Sequence, residues 1–325
     1  MFTGASEIIR LLADIGGTNA RFALLQGNHA KPQQALTLAT IDFPRLIDAI
    51  RHYLHQCGSP EVLEGAIAIA SPILGDRVKM TNHHWDFSIE ETRKELGFRR
   101  LEVLNDFTAL ALALPVLPQD ELRQSGGDKA IPNTALALIG AGTGLGVSGL
   151  IPNGNGGWTA VSGEGGHVTL CAVDDREADI INVCRAAHKH ISAERLVSGM
   201  GLVNLYNAIA QLEGAASQPL TPALITERGL TGSDPLCTEA LETFCGMLGN
   251  VAGNLVLTLG ARGGLYIGGG IVPKLGDYFH RSRFRQRFEA KGRYVEYLAP
   301  IPAYVIHTKD PALLGAATIL GVDPS

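Results

Sequence analysis

Residues 10–26, RLLADIGGTNARFALLQ, run from apolar to polar and back: an apolar stretch, a break at Gly16, Gly17, Thr18 and Asn19, and a second apolar stretch. Two short apolar runs parted by a glycine break predict strand, tight turn, strand. Residues 135–151, ALALIGAGTGLGVSGLI, repeat the pattern, with Gly142 and Thr143 standing where Gly17 and Thr18 stand. Between the two repeats the period switches back and forth. Leu46, Ile47, Ile50, Tyr53 and Leu54 recur at helical spacing over residues 43–56, and residues 65–70 (GAIAIA) read as a strand buried on both faces. Residues 73–88 (ILGDRVKMTNHHWDFS) read as a two-stranded excursion. Ser88 with Glu91 forms a capping box for a helix that Gly97 stops. Residues 101–104 form another buried strand ending at Asn105 and Asp106, and an apolar helix follows, closed by Pro115 and Pro118.

Strands alternating with helices predict an α/β chain with a doubly wound, mostly parallel sheet, whose ligands lie at the carboxyl ends of the strands. Asp14 and the pair Asn105 and Asp106 lie at such ends. The polar stretch 119–133 marks a domain boundary. Beyond the second repeat come a glycine-rich loop at 153–157, the segment VSGEGGHV at 161–168, a helix over 176–190 and a second helical stretch over 192–209. Residues 211–236 read as a polar surface loop. A long helix over 238–259 follows, with Gly246, Gly249 and Gly253 on one face, where another element must pack closely. A strand at 264–267 runs into Gly268, Gly269 and Gly270. A helix from 271, a basic amphipathic helix over 281–293, a strand at 303–307 and a helix over 311–320 complete the chain. The division expected is a small domain over 1–117 completed by 308–325, and a large domain over 118–307.

Composition narrows the class. The chain has 325 residues, 46% hydrophobic and 18% charged, as in ordinary globular proteins, and enough for two domains. A net charge of −5 argues against nucleic acid as the main partner. Five cysteines with no CxxC pair suggest reduced thiols in a cytoplasmic protein. Residues 1–14 lack a basic start, and Arg10 and Asp14 break their apolar run, so they do not read as a signal peptide. No apolar run reads as long enough to span a bilayer.

Glycine turns expose backbone N–H groups that can hold phosphate oxygens, and two turns of one design favour phosphate over ordinary hairpins. Asp14 beside the first turn calls for a cation, and Mg2+ is the usual one. There is no GxxxxGK[ST] sequence, and GLGVSG at 144–149 does not open a helix, so neither nucleotide fingerprint applies. Asp106 could accept a hydroxyl proton, or the Asn105–Asp106 pair could simply cap the next helix. Glu164 and His167 in SGEGGH suit the hydroxyls of a small polyol, or could satisfy each other at the surface. Glu194 also fits a first-turn acid on its helix. The histidines at 83–84 and 188–190 lack metal-ligand spacing.

Taken together, the segments DIGGTNARFALL, GAIAIASPILGDRVKMTNHHWDFSI, LEVLNDFTALALALP, GAGTGLGV, GEGGHV, SAERLVSGMGLVNLY, GGLYIGGGIVP and FEAKGR resemble the bacterial glucokinases, ATP-dependent members of the hexokinase superfamily. The resemblance implies a two-domain actin-like (ribonuclease-H-like) ATPase fold with a cleft between domains, and phosphorylation of the glucose 6-hydroxyl. It implies Asp106 as general base, with Asn105, Glu164, His167 and Glu194 on the sugar hydroxyls. Ala13, Asp14, Ile15, Gly16, Gly17 and Thr18, with Gly142, Thr143 and Gly144, would hold ATP phosphates. Asp14 would sit near Mg2+ through water, and Gly268, Gly269 and Gly270 near the adenosine. A cytoplasmic homodimer acting in glycolysis is also implied. Position 13 is Ala where the family usually has Gly. The cysteine cluster that binds zinc in the related repressor-and-kinase (ROK) sugar kinases is missing after His167, where VTLCAVDD follows. A kinase of another hexose would share these acids. A sugar-sensing regulator would need an N-terminal helix-turn-helix, and a filament-forming ATPase would need neither LND nor GEGGH.

Overall fold

The computed structural model describes residues 8–27 and 31–322, so the reading of residues 1–14 falls partly outside it. The chain forms two units, Met1–Glu121 with Thr308–Ser325, and Leu122–His307.

In the first unit β1 (Ile9–Ile15) turns at residues 16–18 into β2 (Asn19–Gln26), pairing Asp14 with Arg21 and Ile15 with Ala20. A turn this short leaves no room for a crossover, so the pair is antiparallel. β3 (Gln33–Ala39) continues the meander on the far side of β2. The amphipathic helix α1 (Leu46–Gln56) buries Leu46, Ile47, Ile50 and Tyr53 in a core with Leu11, Phe22 and Ile67. It leads to β4 (Val62–Ile69), parallel to β1. The hairpin β5 (Arg77–Lys79) and β6 (Asp86–Ser88) follows. The Ser88 hydroxyl then accepts the Glu91 N–H to start α2 (Ile89–Leu96), and Gly97 ends it in the left-handed conformation at φ 73°. β7 (Arg100–Asn105) pairs parallel with β4 and passes straight into α3 (Asp106–Ala113). The sheet order is β3-β2-β1-β4-β7.

The second unit starts with β8 (Leu122–Gln124), then β9 (Leu136–Ala141), β10 (Leu145–Pro152) and β11 (Trp158–Ser162). Its helices are α4 (Asp175–Arg185), the short α5 (Ala193–Leu196), α6 (Gly199–Leu212), α7 (Pro222–Thr231) and the 25-residue α8 (Pro235–Leu259). β12 (Leu265–Gly268) follows. Four short helices come next, α9 (Val272–Leu275), α10 (Asp277–Arg281), α11 (Phe284–Glu289) and α12 (Val295–Leu298), before β13 (Ala303–Ile306). The sheet order is β11-β10-β9-β12-β13-β8. Without the edge strand β8 it repeats the first sheet in order and in strand direction, each holding one antiparallel meander and two parallel additions. This duplicated order is the actin-like arrangement. The chain then returns to the first unit as α13 (Pro311–Ile319), whose Leu313, Ala316 and Ala317 cover Leu12, Ala23, Leu25 and Ala66 on the sheet.

Several expectations need correction. Both sheets are mixed rather than mostly parallel, because each opens with hairpins. Residues 211–236 are not a loop: Thr221 caps α7 through the Leu224 N–H, and Pro222 fills its first turn, a start signal hidden in polar sequence. The change from one unit to the other falls at residues 121–122, inside the polar stretch 119–133, and residues 122–124 there also pair with β13. The helix expected from 271 breaks at Gly276 (φ 53°), and that over 281–293 keeps only six helical residues, with Phe284 and Phe288 fully buried. α11 packs on α8, the helix with the glycine face. By length and composition alone α8 could cross a membrane, contrary to the expectation, yet 78% of its most apolar window is buried inside the protein, as in a core helix.

Candidate active site

In the first unit, parallel registry places Ile15, Ile69 and Asn105 side by side at the carboxyl ends of three strands. Asn105 caps α3, its side-chain oxygen accepting the Phe107 and Thr108 N–H groups at 2.9 and 3.2 Å. The cap reading is therefore correct for Asn105. Asp106 is different. Its Oδ1 accepts the Phe107 N–H at 2.9 Å and the Asn105 amide at 3.0 Å. Burial pushes its pKa up to about 6, the nearby charge of Asp14 adds to the rise, and the two hydrogen bonds oppose it. A carboxylate held between ordinary acidity and neutrality is suited to taking a proton.

The first turn is closed by the Gly16 N–H on the Asn19 carbonyl at 2.9 Å. Thr40 occupies two of its carbonyls, its hydroxyl on Gly17 at 2.9 Å and its N–H on Thr18 at 3.0 Å. Among the described residues the N–H groups of Gly17 and Thr18 have no acceptor, as a phosphate site requires. Ala13 and Ile15 are fully buried within β1, so their side chains serve the core. Asp14 pairs with Arg21 at 3.3 Å, and the same guanidinium reaches Asp310 at 3.2 Å. Burial nevertheless leaves the Asp14 pKa raised, Arg21 pulling it down and Asp310 adding to the rise. Two carboxylates thus share one guanidinium, an excess of negative charge that fits a cation. Among the described residues no group of three or more His, Cys, Asp or Glu could hold a metal by itself. A Mg2+ carried on phosphates, with Asp14 touching it through water, fits this donor set.

In the second unit the turn between β9 and β10 is closed by the Gly142 N–H on the Gly144 carbonyl, and Gly199 at the start of α6 donates to the Gly142 carbonyl, both at 2.8 Å. Ser198 caps α6 through the Gly201 N–H at 3.0 Å. Gly268 ends β12 opposite Gly140, and Gly269 and Gly270 are exposed beside this turn, the Ile271 N–H bonding the Ala141 carbonyl at 3.2 Å. Glu194, on α5, accepts the Leu145 N–H through Oε2 at 2.8 Å. Glu164 and His167 are both exposed; the His167 backbone N–H bonds the Glu164 carbonyl at 3.0 Å, but their side chains do not pair, so the mutual-satisfaction reading fails. Their loop is tied to the approach to α5: the Leu170 N–H bonds the Ile191 carbonyl at 3.0 Å, and the Ala193 N–H bonds Val168 at 2.9 Å. Glu164, His167 and Glu194 are thereby brought to one side of β10.

Sequence reasoning missed Arg21, Asp310 and the Ser198–Gly199 start of α6. Arg21 was legible, because a hairpin turning at 16–18 must set residue 21 opposite residue 14. Asp310 was not, since its partner lies far away in sequence.

Comparison with known proteins places this geometry. The family described as Glucokinase matches residues 11–322. A glucokinase of Aromatoleum aromaticum is 56% identical over 324 residues, covering 98% of this chain and 97% of that protein. A glucokinase of Chromobacterium violaceum is 54% identical, covering 98% and 92%. The crystal structure of a glucokinase from an Antarctic psychrotroph superposes with a TM-score of 0.88 at 37% identity, covering 96% of this chain and 98% of that one. Matched along nearly its whole length in sequence and in fold, the chain belongs to the glucokinase family.

Proposed function

We propose that this sugar kinase transfers the γ-phosphoryl group of ATP to the 6-hydroxyl of glucose with Asp106 as the general base. The observation that carries the proposal is the Asp106 carboxylate at the carboxyl end of β7, raised to about 6 by burial and still mostly ionised at neutral pH. As the sugar oxygen attacks phosphorus, its proton passes to Asp106, and the bond from phosphorus to the β-phosphate oxygen breaks to release ADP. Asn105 holds the base in place through its amide. Glu164 and Glu194 serve as acceptors and Asn105 and His167 as donors to the sugar hydroxyls, because an unpaired buried hydroxyl costs roughly 1–3 kcal/mol.

The N–H groups of Gly17 and Thr18 and of Thr143 and Gly144 bind the ATP phosphates, in turns that the Gly16 and Gly142 N–H groups close, and Gly268, Gly269 and Gly270 lie along the adenosine. Mg2+ on the phosphates would neutralise developing charge, with Asp14 as its water-mediated neighbour; the reading requires no zinc. The same reading puts the enzyme in the cytoplasm, as a homodimer feeding glycolysis.

A coupled assay of ADP release with glucose, fructose, mannose and N-acetylglucosamine tests the assignment. Glucose should stimulate release most. Asp106→Ala should lower kcat by about 10²–10⁴-fold while calorimetry still detects glucose binding. Full activity in Asp106→Ala would return Asp106 to the role of a helix residue.

A further inference from the structure

Leu145, the first residue of β10, is where the sugar side and the phosphate side of the second unit meet. Its N–H donates to Glu194 Oε2 at 2.8 Å. Its carbonyl lies against Gly166 so closely that a Cβ on Gly166 would fall 2.0 Å from the oxygen. The residue before it, Gly144, has its own absent Cβ filled by the Glu194 carboxylate: a methyl group there would stand 2.4 Å from Oε2. The GEGGH loop and Glu194 therefore both close on the strand that leaves the phosphate turn. α5 is fixed in turn by Ser192, whose hydroxyl accepts the Arg195 N–H at 3.2 Å, and the start of α6 is bonded to Gly142.

We infer that Glu194 is a positioning residue for the nucleotide-phosphate turn as well as a sugar ligand, so that one carboxylate couples glucose affinity to nucleotide affinity. The inference rests on the proposed sugar role of Glu194 and extends it. One oxygen, Oε2, holds Leu145 and so sets the direction in which Thr143 and Gly144 present their N–H groups. The other oxygen is left to a sugar hydroxyl. A sugar that draws the carboxylate into one orientation orders the turn before nucleotide arrives, and by linkage bound nucleotide must tighten the sugar by the same factor. Gly144 has to be glycine because that carboxylate takes the space of its side chain.

The test is calorimetric titration of a non-hydrolysable ATP analogue with Mg2+, with and without saturating glucose, and of glucose alone, on wild type, Glu194→Gln, Glu194→Ala and Gly144→Ala. Glutamine can still accept the Leu145 N–H through its amide oxygen, so Glu194→Gln should weaken glucose yet bind the analogue alone as wild type does. Glu194→Ala should weaken the analogue even without glucose and abolish the roughly 5–150-fold enhancement by sugar typical of such coupling. Gly144→Ala should weaken glucose about tenfold or more although position 144 is assigned to phosphate. If Glu194→Ala binds the analogue, and responds to glucose, as wild type does, the coupling is overturned. Unchanged glucose affinity in Glu194→Ala would instead overturn the sugar role, while its analogue titration still decides the link to Leu145.

Discussion

The β1–β2 turn and the β9–β10 turn stand at the same place in sheets of the same order, but they are held by opposite means. The first is flanked by charge: Asp14 and Arg21 face each other across the hairpin, and Asp310 joins them from the start of α13. The second has no charged residue on either strand and is held by backbone contacts, by α6 at Gly142 and by the Glu194 carboxylate at Leu145. What the duplicated sheet repeats is a cradle of N–H groups, and what has diverged is the electrostatics around it. One copy stands beside the carboxylate proposed as the base and has the surroundings for a cation. The other is a neutral seat supported by the side chains assigned to sugar.

The contrast breaks most readily on the neutral side. Gly269 has φ 79° and its missing Cβ would fall 2.4 Å from the Ala141 carbonyl oxygen. Gly269→Ala should therefore cost about 2–4 kcal/mol in urea unfolding and weaken nucleotide, whereas Gly270→Ala, with open space around it, should stay within about 0.5 kcal/mol. Equal, small costs at both positions would mean the seat is not rigid.

On the charged side, kcat should climb tenfold per pH unit up to about pH 6 and level off above it, following the ionisation of Asp106. A plateau reaching down to pH 4 would remove Asp106 as the titrating base. The sign for stability is opposite. A carboxyl whose folded pKa is raised favours its protonated form, so its contribution is fully present below 3.8 and is lost as pH rises to about 6. Asp106→Asn, which keeps an acceptor for Phe107, should raise stability at pH 7 by roughly 1–2 kcal/mol while activity falls. Lower stability in that variant would show that the charge is better accommodated than its burial implies.

The smallest effect belongs to Asp310. Arg21 is 41% exposed, so losing this pair in Asp310→Asn should cost only about 0–1 kcal/mol in denaturant unfolding. A larger loss would place Asp310 among the structural supports of the charged turn.

Much of this was legible because short-range rules govern it. Glycine breaks between apolar runs located both hairpins, and Ser88 with Gly97 bounded α2. The resemblance supplied the sugar and nucleotide roles, which spacing alone left open for Glu164 and Glu194. What stayed hidden depends on distant partners. Whether a sheet is parallel or mixed depends on which strands meet, and Leu122–Gln124 becomes a strand only because β13 offers it an edge. α7 was concealed by polar composition despite its Thr–Pro start. Glu194 looked like an ordinary first-turn acid because nothing near it in sequence shows that Leu145 donates to it.

The cover that α13 places over Leu12, Ala23, Leu25 and Ala66 bears on how the chain is made. Synthesis proceeds from the amino end, so the first sheet leaves the ribosome with that face bare, and all of residues 122–307 must be translated before its cover appears. The second unit is continuous in sequence and can fold while this happens. α13 also packs on α3, the helix that opens with Asp106. The helix that begins with Asp106 therefore gains its full packing only when the last helix arrives, so an interrupted translation product leaves the residue proposed as the base without that support.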